Sequence, residues 1–333
     1  MTPLADFFLS VLPTDVLPRY LEHWIIGETP LSTWPAVTTA LASYLAIIFG
    51  IQELMKDRPS QQLNTLFRIH NAFLSIGSLV LLVLMLEEVV SIWFSSNTFD
   101  TICAVQSWTP KLEFYYMINY YFKYIELLDT VFLALKKKPL AFLHVFHHSA
   151  TALLCFTQLN GKTSISWVVI SLNLFVHVVM YYYYYATAGG AKIWWKKYLT
   201  TMQIVQFIID LFVVYFGSWV AYQHFAYAYW RWLPHIGNCT GTETAALLGC
   251  GLLSSYLVLF INFYIQTYKK PTKAKRAVAN GHGLANGMGN GVANGYAQNL
   301  LVVIDAKCLL GVNVTEATSQ ARTTPITNCL SML

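Results

Sequence analysis

The amino-acid sequence predicts an all-α integral membrane protein of seven transmembrane helices, with a lumenal N-terminus and a cytosolic C-terminus. Three observations carry that prediction. Of 333 residues, 56% are apolar and only 11% charged, with a mean hydropathy of +0.48, where a soluble domain carries about 25% charge. The apolar residues fall into seven stretches at 34–54, 71–94, 114–135, 142–160, 165–188, 200–221 and 244–267, each near the roughly 20 residues that cross a hydrocarbon core. Finally, every second connection is basic. Lys56, Arg58 and Arg68 follow the first stretch, Lys136, Lys137 and Lys138 the third, and Lys192, Lys196 and Lys197 the fifth. Lys269, Lys270, Lys273, Lys275 and Arg276 follow the seventh. The alternate connections hold only Lys111, Lys162 and Arg231, and the positive-inside rule turns the basic set toward the cytosol.

The chain divides into a lumenal N-terminal segment over 1–30, a seven-span domain over 31–270 and a cytosolic tail over 271–333. Residues 1–30 contain Asp6, Asp15, Arg19, Glu22 and four prolines, a pattern without the charged and apolar regions of a cleavable signal. Cys103 and Cys239 fall in the second-to-third and sixth-to-seventh connections, both on the lumenal side, where a disulfide persists; they are expected to pair. The sequon Asn238-Cys239-Thr240 shares the second of these loops, and a short loop with a disulfide at its middle residue argues against efficient glycosylation. From Ala277 an Ala/Asn/Gly-rich run takes over, a composition that cannot bury a core and reads as disordered.

Ionisable groups within spans are costly and mark function. In the third span Lys123, Glu126 and Asp129 recur every three residues, with Lys123 and Glu126 in reach of each other. That pair reads either as a self-neutralising structural ion pair or as part of a site, while Asp129 is left to orient a histidine. The fourth span opens with His144, His147 and His148, which share one helical face. Such a triplet can ligate a metal, or can hold an imidazole base or nucleophile beside a second imidazole. Asn173, His177 and Tyr181 form one stripe of the fifth span, continued by Tyr184; Tyr182, Tyr183 and Tyr185 read as an interfacial aromatic belt. In the sixth span Thr200, Gln203 and Gln206 share a flank, with Asp210 one turn on. The glutamines either join neighbouring helices or orient a thioester carbonyl. All of these groups lie at or above the midplane on the cytosolic side, above plain apolar halves such as "TALLCF" and "FVVYFG". A polar chamber open to the cytosol, continuing into an apolar tunnel, suits an amphiphilic substrate.

Over about residues 30–270, four motifs in order resemble the ELO family of very-long-chain fatty acid elongases of the endoplasmic reticulum, with wording closest to the fungal branch. They are Lys123-x-x-Glu126-x-x-Asp129-Thr130, His144-x-x-His147-His148, Asn173-x-x-x-His177-x-x-Met180-Tyr181 and Thr200-x-x-Gln203-x-x-Gln206. The resemblance implies six helices in a barrel around a narrow acyl tunnel closed at its lumenal end. It implies an acyltransferase, a very-long-chain 3-oxoacyl-CoA synthase that joins a long-chain acyl-CoA to the two-carbon unit of malonyl-CoA with loss of CO2 and CoA. No cofactor or metal is expected beyond the two thioesters. Expected partners are membrane lipid, the reductases and dehydratase of the elongation cycle, and a second copy of the chain. The site then has His147 as acyl acceptor through an acyl-imidazole, with His144 and His148 orienting it or carrying protons and Asp129 fixing a tautomer. His177 and Gln203 bind the enolate or thioester oxygen. Lys123, Glu126, Asn173, Tyr181 and Gln206 serve substrate binding, and Lys137 and Lys196 are candidates to meet CoA phosphates, although orientation in the membrane is the stronger reading of these cations. Two other classes fit the chain less well. A di-iron desaturase or hydroxylase needs about eight histidines in three boxes, whereas this chain has one such box. A seven-span receptor or carrier fits the span number but neither the polarity of the spans nor the absence of an internal repeat.

Overall fold

The computed structural model describes residues 2–11 and 18–269, and the expected tail over 271–333 lies outside them. The regular structure of the described residues is all helical: α1 (Pro3–Val11), α2 (Arg19–Glu22), α3 (Trp34–Leu54), α4 (Asn64–Ser95), α5 (Thr98–Cys103), α6 (Pro110–Leu135), α7 (Phe142–Gly161), α8 (Ser166–Ala188), α9 (Lys196–Tyr229) and α10 (Glu243–Tyr264), the last running into a π-turn at Ile265–Lys269. The helix starts are written locally. Thr109 precedes Pro110 and its hydroxyl accepts from Leu112 N at 3.2 Å, while Thr242 caps α10 by accepting from Ala245 N at 3.3 Å; both satisfy amide donors that a helix cannot. The turn after α8 needs Gly190, whose φ is +93°, a conformation that costs glycine nothing.

Among the described residues, seven helices have 20 residues or more, one on each predicted stretch. Five of them, α3, α4, α8, α9 and α10 with its π-turn, are long and apolar enough to cross a membrane. In α6 and α7 the charges and histidines interrupt the apolar windows. Two predicted stretches are too short. α4 begins at Asn64 rather than 71, and α9 runs over 196–229 rather than 200–221, because an apolar window stops where polar and aromatic residues begin, although their backbone remains helical.

Much of the apolar surface faces outward: Ile69, Phe73, Ile76, Phe212 and Trp219 are each more than half exposed. Such a surface is intolerable in water and natural in lipid, so the protein is an integral membrane protein. Six helices touch in a closed circuit: α4 packs on α8, α8 on α9, α9 on α10, α10 on α7, α7 on α6, and α6 back on α4. α3 lies against α6 from outside, with Tyr44 OH donating to Thr130 Oγ1 at 2.7 Å.

One end of the bundle is sealed by polar staples. The segment before α3 turns over α6 and α7, where Trp24 N donates to Glu113 Oε1 and Trp24 Nε1 to Asn160 Oδ1, both at 2.8 Å. A disulfide joins Cys103 to Cys239. Beside it, Thr240 N donates to Cys103 O at 2.9 Å and Ser164 N to Thr240 O at 3.0 Å.

Candidate active site

α6, α7, α8, α9 and α10 enclose a cavity of about 520 Å³. Its polar wall is short: Asn119 and Lys123 from α6, His147 and Thr151 from α7, Asn173 from α8, Gln206 and Asp210 from α9 and Tyr256 from α10. Below it the lining turns apolar, through Leu154, Val169, Ile170, Val214 and Leu253.

The three histidines of α7 are not equivalent. Residues i, i+3 and i+4 share a face, but that face is about 100° wide and the cavity meets only part of it. The rings of His144 and His148 lie 4.4 Å apart between centroids, tilted to each other, and neither lines the cavity, whereas His147 does. Its ring sits among Tyr256, Phe260 and Phe207, at 4.8, 5.6 and 6.2 Å. Nδ1 is buried without a partner, which leaves Nε2 as the nitrogen with room toward the cavity. His144 Nε2 and His148 Nδ1 are also buried and unpartnered. Among the described residues no group of three or more His, Cys, Asp or Glu is arranged around a metal position.

Facing His147, Lys123 Nζ donates to Glu126 Oε1 at 2.9 Å and to Asn173 Oδ1 at 2.8 Å. An ammonium has no acceptor, so Asn173 must turn its oxygen to Lys123 and its NH2 to His177 Nε2, 3.3 Å away. His177 then accepts at Nε2 and carries its proton on Nδ1. That atom lies 3.1 Å from Glu126 Oε1, a close polar contact out of line for a hydrogen bond. Lys123 and Glu126 are 2% and 3% exposed, so each charge depends on the other. Behind this group Asp129 forms a second one: Tyr181 OH donates to Oδ2 at 2.9 Å, and His70 Nε2 lies 3.0 Å from Oδ1.

Several expected placements are corrected. Asp129 does orient a histidine, but it is His70 of α4 and none of the three on α7. His177 stands behind Asn173 and does not line the cavity. Gln203 sets its amide against Met180 Sδ at 3.5 Å, pointing elsewhere, while Gln206 reaches the cavity and donates to Asp210 Oδ2 at 2.9 Å. Tyr181 is fully buried on Asp129 and also stands off the wall. Lys137 and Lys196, assigned to CoA phosphates rather than to the chamber, are exposed and stand outside the cavity lining; Lys137 Nζ donates to Lys56 O and Arg58 O, at 2.8 and 3.1 Å, tying two loops together. The far lining of the cavity includes Cys239, Thr240 and Gly241 of the stapled loop, together with Tyr222 and Phe225 of α9 and Leu247 of α10.

Sequence reasoning missed His70 and Tyr256, and named Asp210 without giving it a role in the site. His70 precedes the apolar stretch by one residue, and a search that continued the helix backward would have met it. Asp210 shares the flank of Gln206, a signal within reach. Tyr256 carries no sequence signal, being one more aromatic in an apolar run.

A ring of apolar helices around a small polar chamber defines a multi-pass membrane protein with its chemistry inside the bundle. The chain belongs to the ELO (GNS1/SUR4) family, which its residues 29–276 match. It is 47% identical over 274 residues to "Putative fatty acid elongase 1" of Schizosaccharomyces pombe, covering 82% of this chain and 81% of that one. It is 34% identical to "Fatty acid elongase A" of Dictyostelium discoideum, over 79% of this chain and 93% of the relative. With "Very long chain fatty acid elongase 2" of Mus musculus it shares 30% identity, over 78% and 85% of the two chains.

Proposed function

We propose that this protein is the condensing enzyme of fatty acid elongation, a 3-oxoacyl-CoA synthase that spans the endoplasmic reticulum membrane seven times with a cytosolic C-terminus. The relatives' names support a role in elongation. One observation carries the chemical step: among the described residues, His147 alone of the histidines lines the cavity, at the junction of its polar and apolar parts.

The step is written as two half-reactions. His147 Nε2 attacks the acyl thioester carbon; the N–C bond forms, the C–S bond breaks, and CoA leaves as thiolate, which takes a proton from solvent. Malonyl-CoA then binds and loses CO2, and its two-carbon enolate attacks the acyl-imidazolium. The product is a 3-oxoacyl-CoA, and His147 returns neutral with its Nδ1 proton untouched. The divided step is easier than a direct one because imidazole is both a good nucleophile and a good leaving group. Donors at the chamber wall, the Lys123 ammonium, the Gln206 amide and Tyr256 OH, are placed to receive the developing oxyanion. No redox cofactor enters this balance. Exposed cations at the histidine end, Lys137 and Lys196 among them, meet CoA phosphates, and the 3-oxo product passes to reducing and dehydrating enzymes.

The test supplies membranes with labelled malonyl-CoA and acyl-CoA primers and compares wild type with His147→Ala. Condensation is expected to fall by about 10³-fold or more, as when a covalent nucleophile is removed, while the folded amount is kept. A substituted protein that still condenses would end the assignment. Strictly sequential kinetics, with no acyl adduct trapped on His147, would replace the nucleophile by a general base.

A further inference from the structure

Asp210 is a carboxyl without a cation. It is fully buried in α9 and lines the cavity, and among the described residues it enters no ion pair. Its single hydrogen bond comes from Gln206 Nε2 to Oδ2 at 2.9 Å, while Oδ1 is buried without a partner. The two carboxylates of α6 are held otherwise. Glu126 has the Lys123 ammonium, and Asp129 has His70 and Tyr181 from two other helices. The Asp210 bond spans four residues of one helix, so it ties α9 to nothing. A side-chain bond of that kind adds little to a helix, less than a buried carboxyl costs in lipid. What Asp210 does, it does to Gln206.

A glutamine ends in a broad, nearly two-fold torsion, and an unheld amide turns its oxygen or its nitrogen to a cavity about equally well. The Asp210 acceptor removes that freedom, because only the nitrogen of the amide can donate to it. One N–H is then fixed on Oδ2 and the second is left for the chamber. The level is that of the reaction: Phe207, next in the chain, lies 6.2 Å from the His147 ring between centroids. Gln203 supplies the comparison within the same helix. Four residues after it stands Phe207 and no acceptor. Its amide meets only Met180 Sδ, at 3.5 Å, and it does not line the cavity.

Resting on the reading that His147 condenses two thioesters in this cavity, we propose that Asp210 is a positioning residue. Its Oδ2 holds Gln206 Nε2 so that the second N–H of that amide faces the oxygen of the acyl group. Charge develops on that oxygen when His147 attacks and again when the enolate attacks. A donor fixed beforehand gains more from the oxyanion than from the ground-state carbonyl, so its loss falls on kcat rather than on KM.

The test reconstitutes the full chain in vesicles with labelled malonyl-CoA and an acyl-CoA primer, and reads kcat, KM and the thermal unfolding midpoint. Asp210→Leu is expected to lower kcat about 10- to 100-fold with KM within about twofold; Asp210→Ala carries the same expectation should leucine not fit. Asp210→Asn keeps an acceptor oxygen for Gln206 and is expected to return kcat to within about threefold of wild type. In a Gln206→Leu background, Asp210→Leu is expected to cost less than about twofold, because the amide it positions is gone. A carboxyl that only supported the fold would shift the midpoint and cost the same in either background. The proposal is overturned if Asp210→Leu and Asp210→Ala keep the wild-type kcat, if Asp210→Asn is as slow as Asp210→Leu, or if the losses at 206 and 210 multiply. Those results leave the condensation reading in place so long as His147→Ala is inactive; condensation by His147→Ala would remove that reading itself.

Discussion

Glu126 and Asp129 stand three residues apart on α6, both nearly buried, and they serve different surroundings. Glu126 joins Lys123, and through it Asn173, both on the cavity wall. Asp129 joins His70 and Tyr181, neither of which lines the cavity. Three residues turn a helix by about 300°, so the two carboxylates point about 60° apart. That angle hands one to the chamber and the other to the α4–α8 seam. A carboxylate in a membrane helix therefore signals a partner first, and only the partner's position shows whether the pair does chemistry or holds helices together.

The largest effect that could break this contrast is expected from Lys123→Met. It strands the Glu126 charge at 3% exposure, at a cost of about 3–5 kcal/mol, read as a lowered thermal unfolding midpoint in detergent and a lost yield. Adding Glu126→Leu is expected to return most of the stability and none of the condensing activity, since the donor on the wall is still missing. A double variant as active as wild type would make this group structural, like its neighbour.

His70→Phe and Tyr181→Phe come next. Each removes one hydrogen-bond partner from buried Asp129, with an expected loss of about 1–3 kcal/mol in unfolding free energy. The folded fraction is expected to keep its rate within about tenfold. A rate loss as deep as that of His147→Ala would move the Asp129 group into the reaction and erase the distinction.

The smallest effect is expected at Gln203→Leu, whose amide meets only a methionine sulfur: stability within about 0.5 kcal/mol and nearly unchanged condensation. Gln206→Leu, which removes a donor from the wall, is expected to lower condensation markedly under the same assay. Equal losses at the two positions would show that both glutamines reach substrate.

Much of this was legible in the sequence. Helix positions follow from apolar runs, because backbone without water must bond internally, and all seven long helices stand on the predicted stretches. The charges and histidines of α6 and α7 announce themselves because lipid tolerates them so poorly, and Lys123–Glu126 pair within one helix, where spacing suffices. Illegible were the contacts made between helices. His70 and Asp129 are 59 residues apart and carry no common period. Gln203 and Gln206 share a flank, and only the rotation of α9 decides which of them sees the cavity.

By itself, then, the sequence determined that the chain is a bundle of apolar helices, where each lies along the chain, and most of the polar groups its interior must accommodate. Tertiary structure decided which of three adjacent histidines meets the cavity, and which carboxylate serves the chamber and which the scaffold. The division has one physical cause. Hydropathy and hydrogen bonding within a helix depend on neighbours along the chain, whereas facing, pairing and enclosure depend on helix rotation and crossing, which packing sets only after all seven long helices are in place.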